Sequence, residues 1–157
     1  MKFTLIKDLK QDSVMKPILS GLLFFIILYL VSDIFVKDLG FGISVHTIKL
    51  TLFGSEEEFL DPITQASFLE FWHVEIFFIM MIVFTLSTIF IRVSNASKSA
   101  IVIVNLMMIS SIISLISLPF AYFFSSEFIN IYVATFFIWH ILALFCAFYS
   151  LKRLHYA

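Results

Sequence analysis

The sequence predicts an all-α integral membrane protein, a four-transmembrane-helix bundle that forms one domain over residues 1–157. Composition is the first reason. The chain is 61% hydrophobic and only 13% charged, against roughly 45–50% apolar and 25% charged residues in soluble domains. The second reason is distribution: apolar blocks lie at about 18–36, 68–93, 100–124 and 128–151. Each reaches the roughly 18–20 residues that cross about 30 Å of hydrocarbon as a helix. Helices follow because lipid offers the backbone no hydrogen-bonding partner. The third reason is that the bases fall on alternate connections.

The first block follows Pro17 and a polar leader. Its apolar core is longer than the 7–15 residues of a signal peptide, and Val31-Ser32-Asp33-Ile34-Phe35 lacks a small-x-small cleavage site. A retained span is expected, with Asp33 solvated near its end. In the loop that follows, Ile48, Leu50 and Leu52 alternate with Thr47, Lys49 and Thr51, and Gly40, Gly42 and Gly54 bracket the stretch. Period two between glycines predicts a short extracytoplasmic β ribbon. Glu56-Glu57-Glu58 comes next, then Asp61-Pro62, which signals a helix start near Pro62.

In the third span Ser110, Ser114 and Ser117 share a face, with Ser111 beside it and Asn105 about one turn below. Such a stripe permits close helix approach, or a polar conduit. Pro119 is expected to kink this helix and release a carbonyl to a neighbour. Cys146, the single cysteine, is expected to be a buried, inert thiol.

Orientation is read from the bases. Lys2, Lys7, Lys10 and Lys16 precede span one, Arg92 and Lys98 join spans two and three, and Lys152 and Arg153 follow span four. The first outer loop sets Lys37 and Lys49 against Asp38, Glu56, Glu57, Glu58 and Asp61, and the last loop offers Glu127 alone. Both termini are therefore expected in the cytoplasm, in the cytoplasmic (inner) membrane of a bacterial-type cell.

Two Trp-His pairs carry the functional signal, Trp72-His73 in the second span and Trp139-His140 in the fourth. An ionisable side chain at membrane depth costs roughly 2.5–3.5 kcal/mol on insertion scales, so it calls for a partner or a role. Both helices run the same way, and two imidazoles on separate helices can clamp a b-type haem. On this expectation His73 and His140 are the metal ligands, and Phe77, Met80 and Trp139 pack the macrocycle. Counted from Pro62 and Glu127, the histidines lie about 11 and 13 residues in, nearly level at about 1.5 Å per residue. Counted from Arg92 and Lys152, they differ by about seven residues, or about 10 Å. The arrangement is similar to that of small membrane b-type cytochromes in helix number and paired histidines.

Glu70 and Glu75 are the other candidate polar residues. Glu70-x-x-His73 has diiron-carboxylate spacing, but the other spans supply no matching motif. Glu75 should find a partner, with the backbone near His73, Tyr122 or His46 as options. The histidines also admit another metal or a quinone-type redox role, or a purely structural one, and two further readings compete with electron transfer through haem. One is a non-catalytic subunit or assembly factor that binds another membrane protein or a second copy of itself. The other is a proton- or ion-conducting element that uses Glu75, His73 and His140. Lipid is the expected surrounding. The near-neutral charge of -1 gives no sign of a nucleic-acid partner. Phosphate loops, paired-cysteine motifs and zincin motifs are absent from the sequence, so no enzyme class is indicated.

Overall fold

A computed structural model describes residues 14–156. The leader bases Lys2, Lys7 and Lys10 lie outside the described residues. Among the described residues four helices are long and apolar enough to cross a membrane: α1 (Met15–Gly40), α3 (Gln65–Val93), α4 (Lys98–Phe123) and α5 (Phe128–Tyr156). A fifth and shorter helix, α2 (Val45–Phe53), lies in the first long connection.

The bundle is organised around α5, which packs against each of the other four helices and most extensively against α4. Small residues explain that closeness. Ala143, Ala147 and Ser150 are buried on α5, and Ser110, Ser114, Ser117 and Ala121 on α4. Without large side chains between them the two backbones approach and gain dispersion contacts, which replace the hydrophobic drive that lipid does not provide. Ser110 and Ser111 donate to carbonyls of their own helix, Leu106 and Met108, at 2.7 and 2.8 Å. Those hydroxyls are thus paired locally while the stripe packs. Asn105 is exposed, and Cys146 is buried and free.

Helix α1 is the outlier. Only 17% of its most apolar stretch is buried, against 39–44% in the other three. It rests mainly on α5 and has little direct packing against α3.

The expected β ribbon is a helix. Ile48 and Leu52, buried on α2, are four residues apart, a spacing that shares one face in a strand and in a helix alike. The alternating pattern therefore does not discriminate, and the cap decides. Ser44 Oγ accepts from the Thr47 backbone N–H while Thr47 Oγ1 accepts from the Ser44 N–H, each at 3.1 Å. This reciprocal cap satisfies two orphan donors and starts the turn. Gly54 ends α2 at φ 72°, and an isolated bridge between Ser55 and Leu60 closes the acidic turn. Helix α3 begins three residues after Pro62, because Thr64 rather than Asp61 caps it, accepting from Ser67 N–H at 3.2 Å.

Pro119 lies inside α4. It cannot donate to the Leu115 carbonyl one turn earlier, and Trp72 Nε1 on α3 donates to that carbonyl instead, at 2.8 Å. The bond ties α3 to α4 near the end of the bundle that carries α2.

Trp72→Phe should cost about 1 kcal/mol, the usual net worth of one such bond. The cost should shrink in a Pro119→Ala background, where a restored backbone N–H takes the Leu115 carbonyl. Thermal melting of the four proteins of that cycle in detergent measures the coupling. Separately, Gly54→Ala should lower stability by about 1–3 kcal/mol, because it forces a side chain into a left-handed backbone against the Leu60 carbonyl. Gly21→Ala, at a helical site with open space around it, should leave stability unchanged or raise it by up to about 1 kcal/mol.

Candidate functional site

Three of the four long helices send ionisable side chains into one contact network. On α1, Tyr29, Asp33 and Lys37 recur every fourth residue and so share a face. On α5, Tyr132, Phe136 and His140 do the same, and all three are buried. Glu75 comes from the inward face of α3. Lys37 is the centre: its Nζ lies 2.5 Å from Glu75 Oε2 and 3.2 Å from Asp33 Oδ2. Its ammonium also stands 4.5 Å from the centroid of the Phe136 ring, whose negative face attracts a cation.

His140 approaches from the other side, with Nε2 3.1 Å from the same Asp33 oxygen. That contact is close but misaligned, since neither ring nitrogen of His140 meets hydrogen-bond geometry with the described residues. The imidazole is therefore held by its Asp33 neighbour electrostatically and by ring packing, with Phe136 4.2 Å away. Lys37, Glu75 and His140 are all buried, and the Asp33 side chain is 9% exposed.

Charge counting describes what the network can do. Two carboxylates and one ammonium leave one negative charge uncompensated when the imidazole is neutral. A single proton on the imidazole or a carboxyl cancels it. Burying an unbalanced charge is expensive, so the cluster has one natural place for an exchangeable proton.

The sequence candidates divide between the two sides of α3. Glu70, His73, Phe77 and Met80 all lie on its exposed face, whereas Glu75 points inward. Trp139 and His140 are buried within the bundle. His73 and His140 are accordingly not brought together, one facing out of the bundle and the other into it. His46 is exposed on α2. His155 sits at the opposite end, 3.0 Å from Ser20 Oγ.

Glu75 meets none of the partners expected for it. Its counterion is Lys37, read from the sequence as a loop base, and Asp33, read as solvated, is its companion. Both readings came from ending the first span at Val36, whereas α1 runs to Gly40. The signal that would have found the site was the i, i+4 acid-base pair in the last turns of that block. Such a pair can cross into apolar surroundings as a nearly neutral unit.

Other buried polar groups lie on the same helices. Ser87 on α3 is 12 residues beyond Glu75, and Ser150 on α5 is ten beyond His140. Neither hydroxyl has a hydrogen-bond partner among the described residues, nor does Trp139 Nε1.

A family model described as a transmembrane helical domain matches residues 42–157. The match takes in α2 to α5 and leaves Asp33 and Lys37 on α1 outside it. No curated protein and no solved structure matches the chain.

The pairing makes an energetic prediction. Lys37→Met should destabilise the protein by about 3–5 kcal/mol, because two carboxylates remain buried without their counterion. Lys37→Met combined with Glu75→Leu should recover a large part of that loss. Thermal unfolding in one detergent, across both variants and the wild type, reads the difference.

Proposed function

The chain belongs to the Aq_1264_TM family of transmembrane helical domains, and we propose that it moves protons within the membrane, using the Asp33–Lys37–Glu75–His140 cluster. One observation carries this reading. Four ionisable groups from three helices meet in a buried network whose charge balances only with one added proton. Ionisable groups inside a spanning bundle face its interior, pair with one another and mark ion pathways and proton relays.

In this reading His140 and Glu75 exchange the proton, and Asp33 and Lys37 set the field they work in. Asp33 stabilises a protonated His140, and Lys37 stabilises an ionised Glu75. The reading includes the orientation drawn from the bases, so the cluster lies toward the outer face.

The test is proton uptake into proteoliposomes loaded with a pH-sensitive dye and driven by a potassium diffusion potential. Wild type should accelerate uptake well above protein-free vesicles. Glu75→Gln and His140→Gln should each remove most of that acceleration, and His73→Ala should leave it intact. Wild-type uptake no faster than that of empty vesicles overturns the proposal. A haem shared by His73 and His140 makes the opposite forecast for His73: a Soret band lost equally in His73→Ala and His140→Ala would favour that reading instead.

A further inference from the structure

The charged cluster is not sealed on all sides. Because α1 and α3 have little direct packing, a groove of about 380 Å³ runs between them. Its mouth carries Ser32, Val36, Val74 and Phe78, all exposed on the flank of the bundle, while its inner lining includes the buried Lys37 and Glu75. Aromatic rings form the walls. Tyr29 stacks on Phe78 at 5.2 Å between centroids, and Phe71 is stacked on Phe41 at 4.5 Å.

We propose that this groove takes a quinol-type lipid, a planar dihydroxyaromatic ring on an apolar tail, from the surrounding bilayer. Three features select that chemistry. A slot walled by aromatic rings suits a flat ring, which stacks on them or meets them edge to face. Two carboxylates against one ammonium leave acceptor capacity in excess, which phenolic hydroxyl donors fill and an anionic head group does not. Depth excludes a phospholipid head. Glu75 lies ten residues into α3, about 15 Å at 1.5 Å per residue. The 29 residues of α3 make about 43 Å of helix, so centring it on about 30 Å of hydrocarbon leaves Glu75 about 8 Å inside. A phosphate cannot follow it there at reasonable cost, whereas an uncharged ring can. A volume of about 380 Å³ falls in the range of small-molecule pockets.

The ligand occupies the site already described, and its assignment rests on the proton-moving reading only for the ionisation of the cluster, with binding alone proposed for the quinol. The two are therefore tested separately. The protein is placed in phosphatidylcholine nanodiscs and titrated calorimetrically with a decyl-chain benzoquinol kept reduced under argon, with empty nanodiscs as the partition control. Wild type should show saturable binding above that control. Val74→Trp and Ser32→Trp each fill the mouth without touching an ionisable group, and each should weaken binding by about tenfold or more. Thermal unfolding of these two variants in detergent, compared with wild type, checks that the bundle persists.

Binding no greater than in empty nanodiscs overturns the ligand assignment, as does unchanged affinity in both Trp variants. Loss of binding when phosphatidylethanolamine replaces phosphatidylcholine also overturns it and assigns the groove to that lipid. Saturable binding by a protein that moves no protons overturns the proton reading alone and leaves the quinol site standing.

Discussion

An ammonium held between two carboxylates joins α1 to α3. The other long helices are secured by side-chain interdigitation: α4 and α5 by their small-residue seam, and α3 by its broad buried face. Helix α1 has far less buried surface, and Lys37 reaches past the groove to Glu75 on the helix that α1 scarcely touches. Within the bundle Lys37 is shared between Glu75 and Asp33 of its own helix, and separating any of these charges in a low-dielectric interior is costly. The relative position of α1 and α3, and so the width of the groove between them, follows from the reach of one lysine side chain together with the Tyr29–Phe78 and Phe41–Phe71 ring stacks.

The same interaction makes the site hard to separate from the fold. A buried ion pair replaced by well-packed apolar residues is often as stable or more so. Stability alone therefore gives little reason to keep four ionisable groups where four leucines would pack. The odd charge count adds to this. A purely structural pair needs one acid and one base, whereas this network holds two acids, one base and an imidazole that contacts an acid without an aligned hydrogen bond.

The spans were plain in the sequence because length and apolarity alone specify a helix in lipid, and the four blocks at about 18–36, 68–93, 100–124 and 128–151 each lie within or close to an observed helix. What was obscured has specific causes. Ile48 and Leu52 satisfy strand and helix periodicities together, so α2 was visible only through the Ser44–Thr47 cap. In the sequence Asp33 and Lys37 look like the end of a span, because charge normally marks the membrane boundary and nothing local shows that a distant Glu75 is waiting. The shared Trp-His dipeptide drew attention to His73 and His140 together. Helical phase separates them: Glu75, two residues from His73 and so about 200° round the helix, is the residue of α3 that faces the cluster. Trp72 belongs to a different story, as the donor to the carbonyl that Pro119 frees.

The spacing of Asp33 and Lys37 also bears on how the chain is made. Helix α1 leaves the ribosome before α3, and its acid and base stand one turn apart on one face, so it can enter the bilayer with its charges already neutralised. Glu75 has no lysine or arginine within a turn of it on α3, and His73 faces the opposite way, so it would enter unpaired at a cost. With α1 already in place, Lys37 is waiting for it. The first helix thus acts as a folding template for the third, and the order of synthesis matches the order in which the charges can be accommodated.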